Sequence, residues 1–224
     1  MSDTNIKKEC KMPAKSKTPQ FSKSPVPLPP DLLNLPCIEA EPWVQVDAAP
    51  QFVEGPAFDR KGNLFVTLPA AGSVIKITPR KVKTTVFHDS HVHVTGSAFH
   101  KDGRLFIVCM SSELLVLDPD GKELARLYPK YKGKKMPMND LVFDPQGRIY
   151  MTHFIGDVMK PTGGVFRIST DAKIVEPVVS EGLALPNGIS LSPEGNSLWV
   201  GEVTRNRILL IRLLKDGVTF LEMK

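Results

Sequence analysis

The sequence predicts an all-β chain folded as a β-propeller, with about four blades in its 224 residues. Three observations predict it. Gly and Pro number 16 and 20 while aromatics make up only 7%, a density of chain breakers that turn-rich β folds carry and helical bundles avoid. Four stretches share one plan, a small or polar turn followed by an apolar strand, a charged hairpin with glycine, and a second apolar strand. Each is then followed by two more short apolar runs, and four strands in a repeat of roughly 40–45 residues is the plan of a propeller blade. A β-sandwich is the competing architecture, but sandwiches do not usually repeat their hairpin chemistry in register.

The repeats read Glu54-Gly-Pro-Ala-Phe-Asp-Arg-Lys-Gly-Asn-Leu-Phe-Val, Gly96-Ser-Ala-Phe-His-Lys-Asp-Gly-Arg-Leu-Phe-Ile-Val, Asn139-Asp-Leu-Val-Phe-Asp-Pro-Gln-Gly-Arg-Ile-Tyr-Met and Asn187-Gly-Ile-Ser-Leu-Ser-Pro-Glu-Gly-Asn-Ser-Leu-Trp-Val. Their hairpin glycines, Gly62, Gly103, Gly147 and Gly195, are spaced by 41, 44 and 48 residues, and glycine suits a hairpin position that needs positive φ. The outer strands are expected at 73–77 and 84–87, 114–117 and 124–128, 164–168 and 174–179, and 208–213 and 218–222. A further strand is expected at 42–46, where a closed ring would use it to complete its last blade. Residues 37–224 are thus expected to form an incomplete propeller, with uncovered faces on its first and fourth blades that favour self-association.

Residues 1–36 read as a disordered tail rich in Lys, Ser and Pro. The formal charge of +5 belongs mostly to residues 1–30, where Lys7, Lys8, Lys11, Lys15, Lys17 and Lys23 face only Asp3 and Glu9. A nucleic-acid-binding fold would carry its basic face within the folded part, so no nucleic-acid partner is expected. No stretch approaches the ~20 apolar residues of a membrane span, and no apolar segment of a signal peptide follows the first lysines. Cys10, Cys37 and Cys109 form neither a disulfide framework nor a C-x-x-C site. The expected location is cytoplasmic.

The start of each innermost strand lies near the propeller axis, and Glu54, Asn139 and Asn187 hold that repeat-equivalent position in blades one, three and four. One carboxylate and two amide oxygens meeting at an axis suit a hard cation such as Ca²⁺, which takes ~6–8 oxygen ligands in irregular geometry. The bland reading is that each polar residue caps its own turn. Blade two offers Thr95, Gly96 and Ser97 there, which leaves room for substrate or water. Other features carry less. His88, His91 and His93 could suit zinc if 91 and 93 share a strand face, but no fourth ligand lies at the usual spacing; His93 could instead line the channel mouth. Ser97, Ser190 and Ser192 lack a nucleophile elbow, Gly163-Gly164 lacks the glycines of a phosphate loop, Cys109 reads as packing, and 130–135 reads as a solvated basic loop.

The motifs Glu54-Gly-Pro, Met138-Asn-Asp-Leu-Val-Phe-Asp-Pro-Gln-Gly and Pro186-Asn-Gly-Ile resemble the senescence-marker-protein/gluconolactonase family. Ala40-Glu-Pro-Trp and Pro161-Thr-Gly-Gly-Val-Phe-Arg point to its bacterial drug-responsive lactonase branch, and the likeness runs from about residue 40 to the end. The resemblance implies a six-bladed propeller with a catalytic divalent cation, often Ca²⁺ although another ion is compatible, and a small lactone or ester as substrate. It implies Glu54, Asn139 and Asn187 as metal ligands, and Asp140 as a residue that supports the site or holds a second calcium. The family's general-base aspartate would lie beyond Lys224, and His153 stands where lactonase relatives commonly carry an acid, which makes it a substrate-channel candidate with Thr95, Ser97 and His93. The alternative is a propeller that binds without catalysing.

Overall fold

The structure, a computed structural model, describes residues 40–224. The expected tail and its boundary at residue 36 lie outside these residues. The unit that carries the blades runs Val44–Lys224.

Four antiparallel four-stranded sheets stand in a propeller arrangement. Blade one is β1 (Glu54–Phe58), β2 (Leu64–Leu68), β3 (Ser73–Ile77) and β4 (Lys83–His88), and blade two is β5 (Val94–Phe99), β6 (Leu105–Cys109), β7 (Leu114–Leu117) and β8 (Glu123–Leu127). A short hairpin, β9 (Lys130–Tyr131) with β10 (Lys134–Lys135), leads to blade three, made of β11 (Met138–Phe143), β12 (Ile149–His153), β13 (Gly163–Ile168) and β14 (Val175–Leu183). Blade four is β15 (Pro186–Leu191), β16 (Ser197–Glu202), β17 (Arg207–Leu213) and β18 (Phe220–Met223). Every outer strand falls within a few residues of its expected place, and the four hairpin glycines all have positive φ.

Three expectations need correction. Residues 42–46 form no strand. Val44 and Val46 instead pack on Val66, Leu68, Ile75 and Ile77 of blade one, and the carbonyls of Gln45 and Val46 accept from Lys83 Nζ rather than from a ladder partner. Residues 130–135 form a short hairpin, β9–β10, rather than a loop; its lysines are exposed as expected, and the Tyr131 ring lies 4.8 Å from that of Phe166. His91 and His93 do not share a strand, since β4 ends at His88 and β5 begins at Val94.

The core lies between blades and repeats with them. The second-strand residues Phe65, Phe106, Tyr150 and Trp199 are equivalent, each opposite a first-strand residue one step from its hairpin: Ala57, Ala98, Val142 and Ser190. Phe65 takes Phe99 of the next blade edge-on at 5.0 Å, and Phe106 takes Phe143 at 5.3 Å. Such aromatic pairs add about 0.5–1.5 kcal/mol to the burial itself. Phe65, Phe106 and Tyr150 are at most 1% exposed, whereas Trp199 is 47% exposed with Leu221 and Ile208 at 70% nearby in the same blade. Among the described residues, then, the outward face of blade four is open.

Candidate functional site at the propeller hub

The first strand of every blade breaks register at one place: between Glu54 and Ala57, Val94 and Ser97, Met138 and Leu141, and Pro186 and Ile189. A bulge re-aims the side chains beside it. Counted back from the residues that open the hairpins, Glu54, Thr95, Asn139 and Asn187 hold the same position in these bulges.

The next residue in each blade explains how closely the first strands approach. It is glycine in blades one, two and four and Asp140 in blade three. A Cβ on Gly55 would lie 2.8 Å from Ser97 N, and one on Gly96 would lie 2.6 Å from Asp140 Cα and 2.7 Å from Asn139 O. No real Cβ tolerates such contacts, so glycine here is a packing requirement. At Gly188 the nearest atom is Asp140 Oδ2 at an ordinary 3.8 Å.

Side chains then tie blade to blade. Thr67 Oγ1 donates to Thr95 O at 2.6 Å, and the repeat-equivalent Thr152 donates to Asn187 O at 2.7 Å. Ser97 donates to Gly55 O at 2.6 Å, and buried Thr95 lies 2.9 Å from Val108 O and 3.2 Å from Met138 O. The hydroxyl protons of Thr95 and Ser97, expected to face substrate, are therefore spent on carbonyls, which leaves lone pairs as their offer to a ligand. Asp140 holds blades three and four together by accepting from Leu141 N at 2.9 Å and Ile189 N at 3.0 Å. Burial raises its pKa against these two hydrogen bonds, and the charge of Glu54 raises it further. Glu54 and Asp140 thus lie within electrostatic reach of each other.

Asn139 is buried and Asn187 half-buried, and among the described residues neither amide has a hydrogen-bond partner. Asn187 lines a depression of about 780 Å³ with Gly188, Glu202 and Arg207. No three His, Cys, Asp or Glu side chains cluster among the described residues, so an ion at the hub would rest on amide oxygens beside the carboxylates. Such a donor set, hard and all oxygen, fits Ca²⁺ and does not fit a soft metal.

The remaining candidates separate from this group. His93 is exposed and uses its backbone N–H on Ser111 Oγ, His88 pairs with Ser73 Oγ at 2.9 Å, and His91 pairs with Asp89 at 3.1 Å. His153 ends β12 opposite Met138, with both ring nitrogens buried and unpartnered and its ring 5.8 Å from Phe166. Its blade-four equivalent is Glu202, which the sequence reading missed. The buried Glu202 carboxylate accepts from Ala184 N, Arg205 and Arg207 at 2.6, 2.9 and 2.5 Å. An acid inside an apolar strand with arginines three and five residues later was the available signal.

His153 yields a testable pH dependence. Burial lowers its pKa from 6.5, so between its folded and ordinary values the unfolded chain binds more protons. Its contribution to stability is complete above 6.5 and is lost as pH falls through that window toward the folded value. His153→Phe should raise stability by about 1 kcal/mol, because an orphaned buried polar group costs about 1–3 kcal/mol, and should flatten urea-unfolding stability between acidic and neutral pH.

The fold is a propeller whose first-strand bulges carry oxygen-bearing side chains at one repeat-equivalent position. The SMP-30/Gluconolactonase/LRE-like region matches residues 52–221, and the chain belongs to that family. It is 34% identical over 202 residues to lactonase drp35 of Staphylococcus saprophyticus, a match covering 88% of this chain and 62% of that relative's length. A gluconolactonase structure from Xanthomonas campestris shares the fold with TM-score 0.67 at 21% identity, over 78% of this chain and 62% of that one. A calcium-binding regucalcin of Agrobacterium tumefaciens shares it with TM-score 0.64 at 19% identity, over 80% and 60%.

Proposed function

We propose that this chain supplies the hub of a divalent-cation-dependent hydrolase of lactones or related small esters. The observation that carries the reading is the recurrence of Glu54, Asn139 and Asn187 at one bulge position in three blades, two of them with amides that no described residue satisfies. Family membership and the named lactonase relatives support the reaction class. The regucalcin relative, called calcium-binding, supports Ca²⁺ as the ion, with other divalent cations compatible.

Glu54, Asn139 and Asn187 would hold the ion, which when bound supplies Lewis acidity toward an ester carbonyl. Asp140 keeps both oxygens on backbone N–H groups, so its part is to fix Asn139 relative to Asn187 rather than to take a proton from water. The hydroxyl ties of Thr67, Thr95, Ser97 and Thr152 keep the hub rigid, and preorganised dipoles are what stabilise an oxyanion. Thr95, Ser97, His93 and His153 remain candidates to line the substrate channel. The ring is six-bladed in this reading, with an aspartate as its general base. The expected setting is cytoplasmic; among the described residues no helix is long and apolar enough to cross a membrane.

γ-Lactone hydrolysis assayed with and without a chelator tests the reading, with activity expected to vanish on chelation and return with Ca²⁺. Activity indifferent to chelation would refute the metal role. A binding propeller without catalysis is the second reading, favoured by the commitment of both Asp140 oxygens; calcium binding without turnover would select it.

The open face of blade four supports self-association, because the residues equivalent to Trp199 are buried by a following blade. Trp199→Glu should shift the chain toward monomer in sedimentation velocity, while an unchanged distribution would remove that face from the interface.

A further inference from the structure

The hub end of blade three carries a second surface, made of the β9–β10 hairpin and the turn that follows β12. Lys135 stands four residues before Asn139, at most about 14 Å of chain. The turn lies beside the hairpin's exit, because Phe154 N donates to Pro137 O at 2.9 Å, and Leu185 N ties it to blade four through Ile155 O at 3.2 Å. Blades two, three and four surround this surface, so its exposure does not depend on where the sequence begins or stops.

The hairpin is tight. Tyr131 and Lys134 pair across it, and Lys132 and Gly133 between them both have positive φ, the mark of a type I′ turn. Tyr131 packs on Phe166, and Lys132 Nζ lies 5.2 Å from the centre of the Tyr131 ring. Lys130 and Lys135 stand opposite each other on the ladder, a like-charge pairing that destabilises a hairpin. All four lysines are exposed, and among the described residues none lies within ion-pair distance of a carboxylate.

Opposing charge is scarce around them. Asp89 and Glu123 are held by Arg126, and Glu113 acts on Cys109, which faces blade one. Asp157 lies in the turn, and Glu181 adjoins it through Gly182 N, which donates to Pro161 O at 2.9 Å. Against Lys160 and the four hairpin lysines, these two acids leave a net +3. Residues 1–30 are themselves basic and add no neutralising charge.

Beside the lysines the turn presents aliphatic side chains. Val158 and Met159 are 50% and 92% exposed at its tip, where the Asp157 carboxylate accepts from Met159 N and Lys160 N at 2.8 and 2.7 Å. Ammonium groups flanking an exposed aliphatic tip match the headgroup zone of an anionic bilayer, with phosphates for the lysines and the acyl boundary for the tip. A nucleic acid would gain nothing from that tip, since bases stack on rings.

We propose that this surface docks the protein peripherally on a bilayer rich in anionic phospholipid. Lys130, Lys132, Lys134 and Lys135 meet the headgroup phosphates, and Val158 and Met159 enter the acyl boundary. The docking stands or falls independently of the hydrolase reading.

Co-sedimentation of the full chain with lipid vesicles tests it. Vesicles of phosphatidylcholine mixed with phosphatidylglycerol should bind the chain in low salt and release it in high salt, and pure phosphatidylcholine should bind poorly. A lysine at an anionic surface changes partitioning about fivefold, so Lys130→Gln with Lys135→Gln should weaken binding about 25-fold. That variant should melt no lower than wild type, because the opposed charges are gone. Met159→Ser should weaken binding about tenfold. Lys7→Gln with Lys8→Gln removes the same charge and should cost less. A hairpin variant that binds like wild type, an equal loss in the Lys7 and Lys8 variant, or tighter binding to a single-stranded RNA oligonucleotide than to the vesicles would overturn the proposal.

Discussion

Calcium should raise the melting temperature of the wild-type chain by several degrees, and Glu54→Gln should remove most of that rise. A ligand that binds only the folded state stabilises by about 2.7 kcal/mol at a hundred times its dissociation constant, and 1 kcal/mol moves the midpoint of a domain of this size by about 2–4 °C. Glu54 is the one carboxylate of the proposed ligand set, so its loss should cost calcium affinity tenfold or more, on the scale of about 1.4 kcal/mol per factor of ten. The calcium-free state should respond in the other direction. Glu54 pushes the buried Asp140 carboxyl toward its neutral form, and an amide in its place relieves that repulsion. Without calcium, Glu54→Gln should therefore melt no lower than wild type. Scanning calorimetry of both proteins with and without calcium checks all four values, and lactone hydrolysis should fall with the lost affinity.

Gly96→Ala should destabilise the chain by about 3 kcal/mol or more, while Gly188→Ala, its equivalent in blade four, should be close to neutral. The backbone at neither position has positive φ, so conformational strain is not the cause. The difference lies in what a new methyl would meet: Asp140 Cα at 2.6 Å and Asn139 O at 2.7 Å for Gly96, against a nearest atom at 3.8 Å for Gly188. Backbone atoms held by two ladders cannot move aside, which puts the cost at or above the upper end of the about 1–3 kcal/mol usual for overpacking. Urea titration of the two variants measures the contrast, and equal midpoints would mean that blades two and three do not approach as described.

The features written in short-range patterns were legible in the sequence. Hairpin glycines mark local turns, and alternating apolar runs mark strands, so the blades and their order could be read without coordinates. The equivalence of Glu54, Asn139 and Asn187 followed from the same repeat. Features decided by contact between distant segments were not legible. Thr67 and Thr152 look like ordinary strand residues until the carbonyl of the next blade is seen beside each hydroxyl. Thr95 and Ser97 look available to a ligand for the same reason. Residues 42–46 have the composition of a strand and lack a ladder partner, which composition cannot reveal. The aromatic positions Phe65, Phe106, Tyr150 and Trp199 are one column of the repeat, yet only neighbouring blades distinguish the buried three from the exposed fourth.

The most direct test of the hub is an anomalous difference map from crystals of the full chain grown with Ca²⁺ or Mn²⁺. The account predicts a peak on the axis within about 2.0–2.6 Å of a Glu54 carboxylate oxygen and the amide oxygens of Asn139 and Asn187. A peak elsewhere, or none at saturating metal, would contradict it.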